Sequence, residues 1–587
     1  MIFYELTKLY EELVKQGEIG APGWMNEKVS YGILLGRDGS VRQLLSLKDE
    51  KGKAGKVRVP EHPARTSGVL AFFLWDNAGY LLGVDGGGKP EKAMERFGAS
   101  RKKHLEILEE VHTEAAEAVK NFFQNWDPGK APEHEVLKPE LEELLKGANL
   151  VFYYEGESVM EDSGIKEAWE AYWNREKDGE TGICLVTGKR EHIARLHPLI
   201  KGVWGAQSSG ASLVSFNADA FCSYEMENGG NAQTGERAAR AYGAALNYLL
   251  SDSERVYRAG DVTVVGWAFE GNAVYQDLLM ACLNQEDTIR DVDVQSALKK
   301  LCRGESADWK GRQLRPDNMF YILGLSPNAA RLSVRFFLKN EFGRWLANLQ
   351  AHEDRLEIVI PAFVKKPYLP LWVILDEMKA PGGKDKLPTL TAALLRSVLM
   401  NSRYPEELLF CTLRRIRADH DLNWKRAAIL KAYLYKNSTG DKNKEGCSVG
   451  LNTETDHQAY LLGRLFSLLE NVQLESAKGK DYRKESGKDP LNVTIKDHYL
   501  NSMCSTPALV FAQLMKLEGS HMKKLKRDNT GRAITLDQQI MEIIGRLEAP
   551  IPRRFGPEEQ AVFMLGYYHQ TQERYGQKKC EQKEEEA

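Results

Sequence analysis

The chain has 587 residues, 42% of them hydrophobic and 28% charged, a balance that provides for a sizeable core and excludes wholesale disorder. The formal charge is −3, which excludes a uniformly basic coat for nucleic acid. The eight cysteines include no CxxC pair, which argues against a disulfide scaffold or a standard zinc finger and fits a reducing cytoplasm.

The opening MIFYELTKLYEELVKQ reads as an amphipathic helix, with Phe3, Leu6, Leu9, Tyr10 and Leu13 close to a 3.6-residue stripe. It lacks the basic and apolar blocks of a signal peptide. VSYGILLGRDGSVRQLLSL follows as a hairpin that turns at Gly36, Asp38 and Gly39. KDEKGKAGKVRVP reads as a mobile loop. GVLAFFLWDNAGYLLGV reads as a second hairpin turning at Asp76–Gly79. Helices are expected over 100–126 and 134–147, and strands over 262–269 and 331–338. No uncharged apolar run is long enough to span a membrane.

The character changes near residue 380. KAPGGKDKLP (379–388) reads as a linker, and two or three helices follow over 389–436. Beyond a polar break at 437–450, four helices are expected at 456–474, 494–518, 534–547 and 557–574. Short polar connections suggest a bundle. The fold class is therefore α+β: a mixed region over 1–380, a helical connecting segment over 389–436, a helical bundle over 451–579 and an acidic tail over 580–587. Charge divides along the same line. Residues 401–580 hold 29 Lys and Arg against 22 Asp and Glu, a net of +7, and residues 1–400 net −7. A basic C-terminal part permits a local nucleic-acid surface.

No run spells a catalytic site. Gly83–Lys89 approaches a phosphate-binding loop, but Pro90 stands where the magnesium-ligating hydroxyl belongs. Cys184, His192 and His197 fall short of the four ligands of a structural zinc. The serines of WGAQSSGASLVSFN do not form a nucleophile elbow. That run also reads as a binding loop. Gln207, Ser208, Ser209, Ser212 and Asn217 are uncharged donors and acceptors among small residues, able to contact base edges and phosphates, although Ser and Asn equally favour a self-bonded turn. Basic clusters occur at Lys48, Lys51, Lys53, Lys56, Arg58 and Arg65, at Lys523, Lys524, Lys526 and Arg527 just after a long helix, and at Arg414, Arg415 and Arg417.

The run WGAQSSGASLVSFNADAFCSYEMENGGNAQTGERAARAYGAALNYLL resembles the large subunit of the type I-C CRISPR surveillance complex, Cascade. CLVTG, HPLIKG, RTSGVLAFFLWDNAGYLLG and YLLGRLFSLLENVQ carry the likeness nearly from end to end. The resemblance implies a non-enzymatic cytoplasmic subunit without cofactor or metal. It would check the PAM in double-stranded DNA, promote strand opening and R-loop formation, and help recruit a helicase–nuclease. Its implied partners are crRNA, target DNA and the Cascade backbone and crRNA-handle subunits. A further implied partner is a small subunit made from an internal start in the same gene and resembling the C-terminal bundle. On this basis Gln207, Ser208, Ser209, Ser212 and Asn217, with Lys51, Lys53, Lys56, Arg58 and Arg65, are expected at the PAM and its DNA. Lys523, Lys524, Lys526 and Arg527 are expected on a strand backbone. A structural adaptor, or less plausibly a hydrolase or NTPase, is the competing expectation.

Overall fold

The computed structural model describes the chain apart from residues 51, 63–67, 87–89, 176–180, 217, 285–290, 366–367, 384–386, 440–443, 479–490, 492 and 586–587, with the backbone alone at residue 90 and residues 576–585. It is 53% helical and 16% strand, with the strands in the N-terminal part, which makes it α+β. The chain divides into two compact units. The first comprises Met1–Leu199 and Val214–Tyr248, and the second comprises Ile200–Leu213 and Leu249–Ala587.

In the first unit, the helix Ile2–Lys15 buries Leu6, Leu9 and Leu13, the stripe its periodicity predicts. Four strands follow: β1 (Trp24–Val29), β2 (Tyr31–Leu35), β3 (Val41–Ser46) and β4 (Gly55–Pro60). β2 and β3 form the expected hairpin. Gly39 turns it at φ +80°, and a Cβ there would meet the Phe122 backbone nitrogen at 2.2 Å, so both the turn and the close approach require glycine. With β5 (Trp75–Asn77) and β6 (Asn149–Tyr154) they make a sheet in the order β3-β2-β6-β5. Phe73, Phe122, Phe123, Phe152 and Trp169 fill the core.

Three local expectations are corrected here. The expected mobile loop contains β4, because Val57 and Val59 alternate with Lys56 and Arg58 and turn inward. The expected second hairpin is a strand followed by a helical turn, Ala78–Leu81. The Asn77 side chain accepts the Gly79 N–H and so caps a helix where a hairpin turn was read. The long helix over 100–126 is two, Pro90–Ile107 and Glu114–Asn125, because Thr113 accepts the Ala116 N–H and starts the second.

In the second unit, sheet strands run in the order Ala211–Ser212, Arg331–Glu341, Met319–Asn328, Val262–Ala268 and Tyr257–Ala259. Val262–Ala268 is buried throughout, as a central strand covered on both faces must be. Three helices follow in 388–437: Pro388–Leu399, Glu406–Asp419 and Trp424–Asn437. The last part comprises Gln458–Lys478, Ile495–Ser505, Pro507–Asp528, Thr530–Arg546 and Pro557–Glu585. The single helix expected over 494–518 is broken at Pro507, whose missing N–H suits a first turn and not an interior. One hydrophobic core runs from Tyr257 through Leu394 and Leu430 to Tyr568, so residues on either side of 379–388 share it.

Candidate nucleic-acid interface

β1 and β4 pair antiparallel, with Lys28 opposite Lys56 and Asn26 opposite Arg58. Directly opposed residues share a face, and alternation puts all four on the same side of this two-stranded ribbon. All four are exposed, whereas Val29 and Val59 of the other face are buried. The Arg58 guanidinium lies over the Trp24 ring, 5.0 Å from its centroid, which limits its orientations. Among the described residues none of Lys28, Lys56 and Arg58 makes an ion pair. Two lysines directly opposite each other repel, and an anion between them would remove that repulsion.

Lys48 does not belong to this free group. Its ammonium is bound to the Glu143 carboxylate and donates to the Tyr31 hydroxyl at 2.8 Å. The hydrogen bond that its ammonium donates to Glu143 raises Lys48 above the ordinary lysine value. The basic cluster read from the sequence is thereby reduced. Lys53 is exposed, in a turn where its N–H donates to Asp49 Oδ1 at 2.8 Å. Lys51 and Arg65 lie outside the described residues. Asn26 and Lys28 were missed because WMNEKV shows its basic face only once it is paired with GKVRVP.

The serine-rich run belongs to the second unit through residue 213. The Ala206 N–H donates to Val203 O at 3.1 Å, and the Gly210 N–H donates to Gln207 O at 2.9 Å. The loop is a self-bonded turn, and it leaves Gln207, Ser208 and Ser209 exposed. Ser212 differs. It lies half-buried in the short strand Ala211–Ser212, and its N–H donates to Ala330 O at 3.1 Å. Asn217 lies outside the described residues. Sequence reasoning also missed the aromatic beside this turn. The Trp204 N–H donates to Thr263 Oγ1 at 3.0 Å, its indole is 53% exposed, and the Arg258 guanidinium sits over it at 5.0 Å. An exposed indole with a cation on one face can stack on a base with the other.

Lys523, Lys524, Lys526 and Arg527 do not follow a helix; they form the last turns of Pro507–Asp528, and all are exposed. Lys526 pairs with Asp537 at 3.0 Å and Arg527 with Asp528 at 3.1 Å. Lys523 and Lys524 make no ion pair among the described residues.

Of the catalytic and metal candidates, Cys184 and His197 are otherwise engaged. Buried Cys184 accepts the N–H groups of Val186 and Thr187 at 3.4 Å, and Thr187 donates to Glu191 at 2.6 Å. His197 Nδ1 lies 2.6 Å from the Tyr242 hydroxyl, and burial holds it at about 4. Among the described residues no three His, Cys, Asp or Glu are grouped to hold a metal. Gly87, Gly88 and Lys89 of the glycine-rich run lie outside the described residues. Among the described residues no helix is long and apolar enough to cross a membrane.

Compared with known proteins, residues 6–575 match the model of a family described as CRISPR-associated protein (Cas_Csd1). No curated protein matches the chain.

Proposed function

Because the chain belongs to the Cas_Csd1 family of CRISPR-associated proteins, we propose that it is the large subunit of a type I-C Cascade and reads the PAM in double-stranded DNA. It acts by binding and not by catalysis, in the cytoplasm. Its partners are crRNA, target DNA, the backbone and crRNA-handle subunits, a small subunit from an internal start in the same gene, and a recruited helicase–nuclease. In other RNA-guided effectors, guide pairing reads most of the target while protein reads a short PAM and holds the displaced strand. The opening of DNA is nearly balanced in energy there, so a few protein contacts can tip it.

The observation that carries the residue assignment is the exposed ribbon face of Asn26, Lys28, Lys56 and Arg58. A two-stranded ribbon fits a DNA groove, its cations meet phosphates, and Asn26 can reach a base edge. Gln207, Ser208, Ser209 and Trp204 offer a second set of base contacts. Ser212 and Asn217 stand with them in sequence, as Lys51, Lys53 and Arg65 stand with the ribbon. Lys523 and Lys524, flanked by Lys526 and Arg527, hold a strand backbone.

The test is binding of a PAM-randomised, guide-matched duplex library by the crRNA-loaded complex with and without this chain. Enrichment of particular PAMs is expected only with it. Equal enrichment without it would make the chain a structural adaptor. In the assembled complex, Asn26→Ala and Gln207→Ala are expected to lower PAM discrimination about tenfold each, the effect of losing one base contact. Lys56→Ala should weaken all PAMs alike and reduce the salt slope by about 0.9.

The strand-backbone role predicts a different signature. Lys523→Ala with Lys524→Ala is expected to flatten the salt dependence by about 1.4 if both meet single-stranded phosphates. Titrations of R-loop formation from 50 to 200 mM salt would read this, and an unchanged slope would remove both residues from the strand.

A further inference from the structure

The helix Glu406–Asp419 uses its arginines in two ways. Arg415 is bound to Asp419, which also receives Arg426 Nη2 at 2.6 Å. That cluster faces the interior and is satisfied by its own acids. One residue earlier, Arg414 points elsewhere. Phe410, Arg414 and Arg417 stand at i, i+4 and i+7, so they line one face of the helix.

That face borders an open groove of about 610 Å³. Arg554, buried Phe555 and Gln560 close its other side. Leu413 and Phe555 give it an apolar floor, and the Phe410 ring is 51% exposed at its rim. Among the described residues no Asp or Glu lines it. Among the described residues Arg414, Arg417 and Arg554 make no ion pair. Arg414 Nη2 has only the Cys411 sulfur at 3.6 Å. Arg417 donates through Nη2 to Gln560, and its buried Nε has no hydrogen-bond partner.

Three guanidinium groups converging without a carboxylate repel one another, and a buried unpaired N–H is rare in folded proteins. The repulsion is relieved by an anion whose oxygens match the planar fork, such as a phosphate. The exposed ring beside the forks adds a stacking surface. Phosphate-binding forks next to an aromatic platform are the combination that holds an unpaired nucleotide. A base stacked inside a duplex cannot reach such a ring.

We propose that the groove between helix Glu406–Asp419 and the segment Arg554–Gln560 binds a nucleotide of an unpaired strand, phosphate on Arg414, Arg417 and Arg554, and base against Phe410. The chemistry of the groove stands on its own contacts. Only the origin of the strand rests on the function proposed above.

The test uses the full chain and a fluorescein-labelled ten-nucleotide dT strand, read by anisotropy across a salt series. Wild type is expected to bind, with the same sequence as duplex binding less well through this groove. Arg414→Gln with Arg554→Gln, both exposed positions, should weaken binding at least tenfold and reduce the salt slope by about 1.4. Phe410→Ala should weaken it about tenfold and leave the slope unchanged, since stacking releases no counterions. Melting temperatures equal to wild type would show that the variants fold. Three results would overturn the proposal: no binding by wild type at low salt, unchanged affinity in both variants, or competition by polyglutamate but not by unlabelled dT, which would make the groove an acidic-peptide site. PAM enrichment that is equal with and without the chain, while dT binding depends on the groove, would count against the PAM reading alone, and unchanged dT binding in the variants with chain-dependent enrichment would count against the groove alone.

Discussion

Gly463→Ala is expected to destabilise the second unit by about 2 kcal/mol net, although the same change in an open helix stabilises. An alanine favours helix by about 1 kcal/mol over glycine. At Gly463 the new Cβ would fall 2.0 Å from Phe563 O and 2.9 Å from Tyr567 N, both backbone atoms of the facing helix. Gly566 meets Tyr460 O at 2.2 Å from the other side, so the helices Gln458–Lys478 and Pro557–Glu585 touch backbone to backbone. Overpacking of this kind costs about 1–3 kcal/mol, and the upper end applies because backbone cannot rotate away. Separating the helices would also stretch Tyr460–His569 at 2.8 Å, Arg464–Gln570 at 3.0 Å and Ser467–Thr571 at 2.8 Å. Gly519, mid-helix with nothing within 4 Å of its Cβ position, is the control. Gly519→Ala should raise stability by up to about 1 kcal/mol. Urea unfolding followed by circular dichroism would read both signs. Equal effects at the two glycines would contradict the crossing.

Acid is expected to destabilise both units well before the carboxylates titrate. His104 is buried in the first unit. Its Nε2 accepts the Leu74 N–H at 2.7 Å, so its Nδ1 carries the proton and donates to Ser100 O at 2.7 Å. This neutral ring supports Leu74, a branched residue held at φ +62°. Burial, with nearby Lys103, holds His104 at about 3. In the second unit, burial likewise lowers His352 and His569 to about 3, helped by Arg355 and Lys431 respectively. Each donates or accepts through Nδ1 to a tyrosine, Tyr404 at 2.7 Å and Tyr460 at 2.8 Å, and each leaves Nε2 buried without a partner.

The unfolded chain titrates these rings near 6.5 and the native state near 3, so between those values the unfolded state binds more protons. Their contribution is fully present above about pH 6.5 and is lost at about 1.4 kcal/mol per pH unit and per ring as pH falls toward 3. At pH 5 this is about 2 kcal/mol for His104 and about 4 kcal/mol for His352 and His569 together, and His197, held at about 4 by burial, adds to the loss in the first unit. Asp419 is lowered despite its burial, by Arg426 and Arg415, so its own loss comes at lower pH and does not blur the window. Urea midpoints at pH 7.5, 6.5, 5.5 and 5.0 would test this. A flat profile across that range would show that the rings titrate alike in the native and unfolded states.

Much of the architecture was legible. VTVVGWAF and RLSVRFFL announce their strands by β-branched and aromatic content, and both form. The Gly36–Gly39 turn and the helices of the C-terminal part follow from turn chemistry and apolar spacing. Three of the errors are local capping events. Asn77, Thr113 and Pro507 each place one side chain or one missing N–H where a longer periodic pattern suggests continuity. Periodicity averages over a dozen residues, whereas a cap is decided by one.

The candidate site was legible only in composition. The sequence by itself determined residue types, the basic balance of residues 401–580, and the family likeness that the match over 6–575 bears out at the level of a CRISPR-associated protein. Tertiary structure decided which charges are free. Lys48 is held by Glu143, 95 positions away, whereas Lys56 faces Lys28 across a ribbon and stays unpaired. Arg415 is bound to Asp419 while Arg414, its neighbour, opens onto a groove completed by Arg554. The physical reason is that a charge is neutralised by whatever lies within a few ångströms, and that depends on which distant segment the fold brings there. One step along a helix turns a side chain by about 100°, enough to separate an arginine that holds the core from one that faces a ligand.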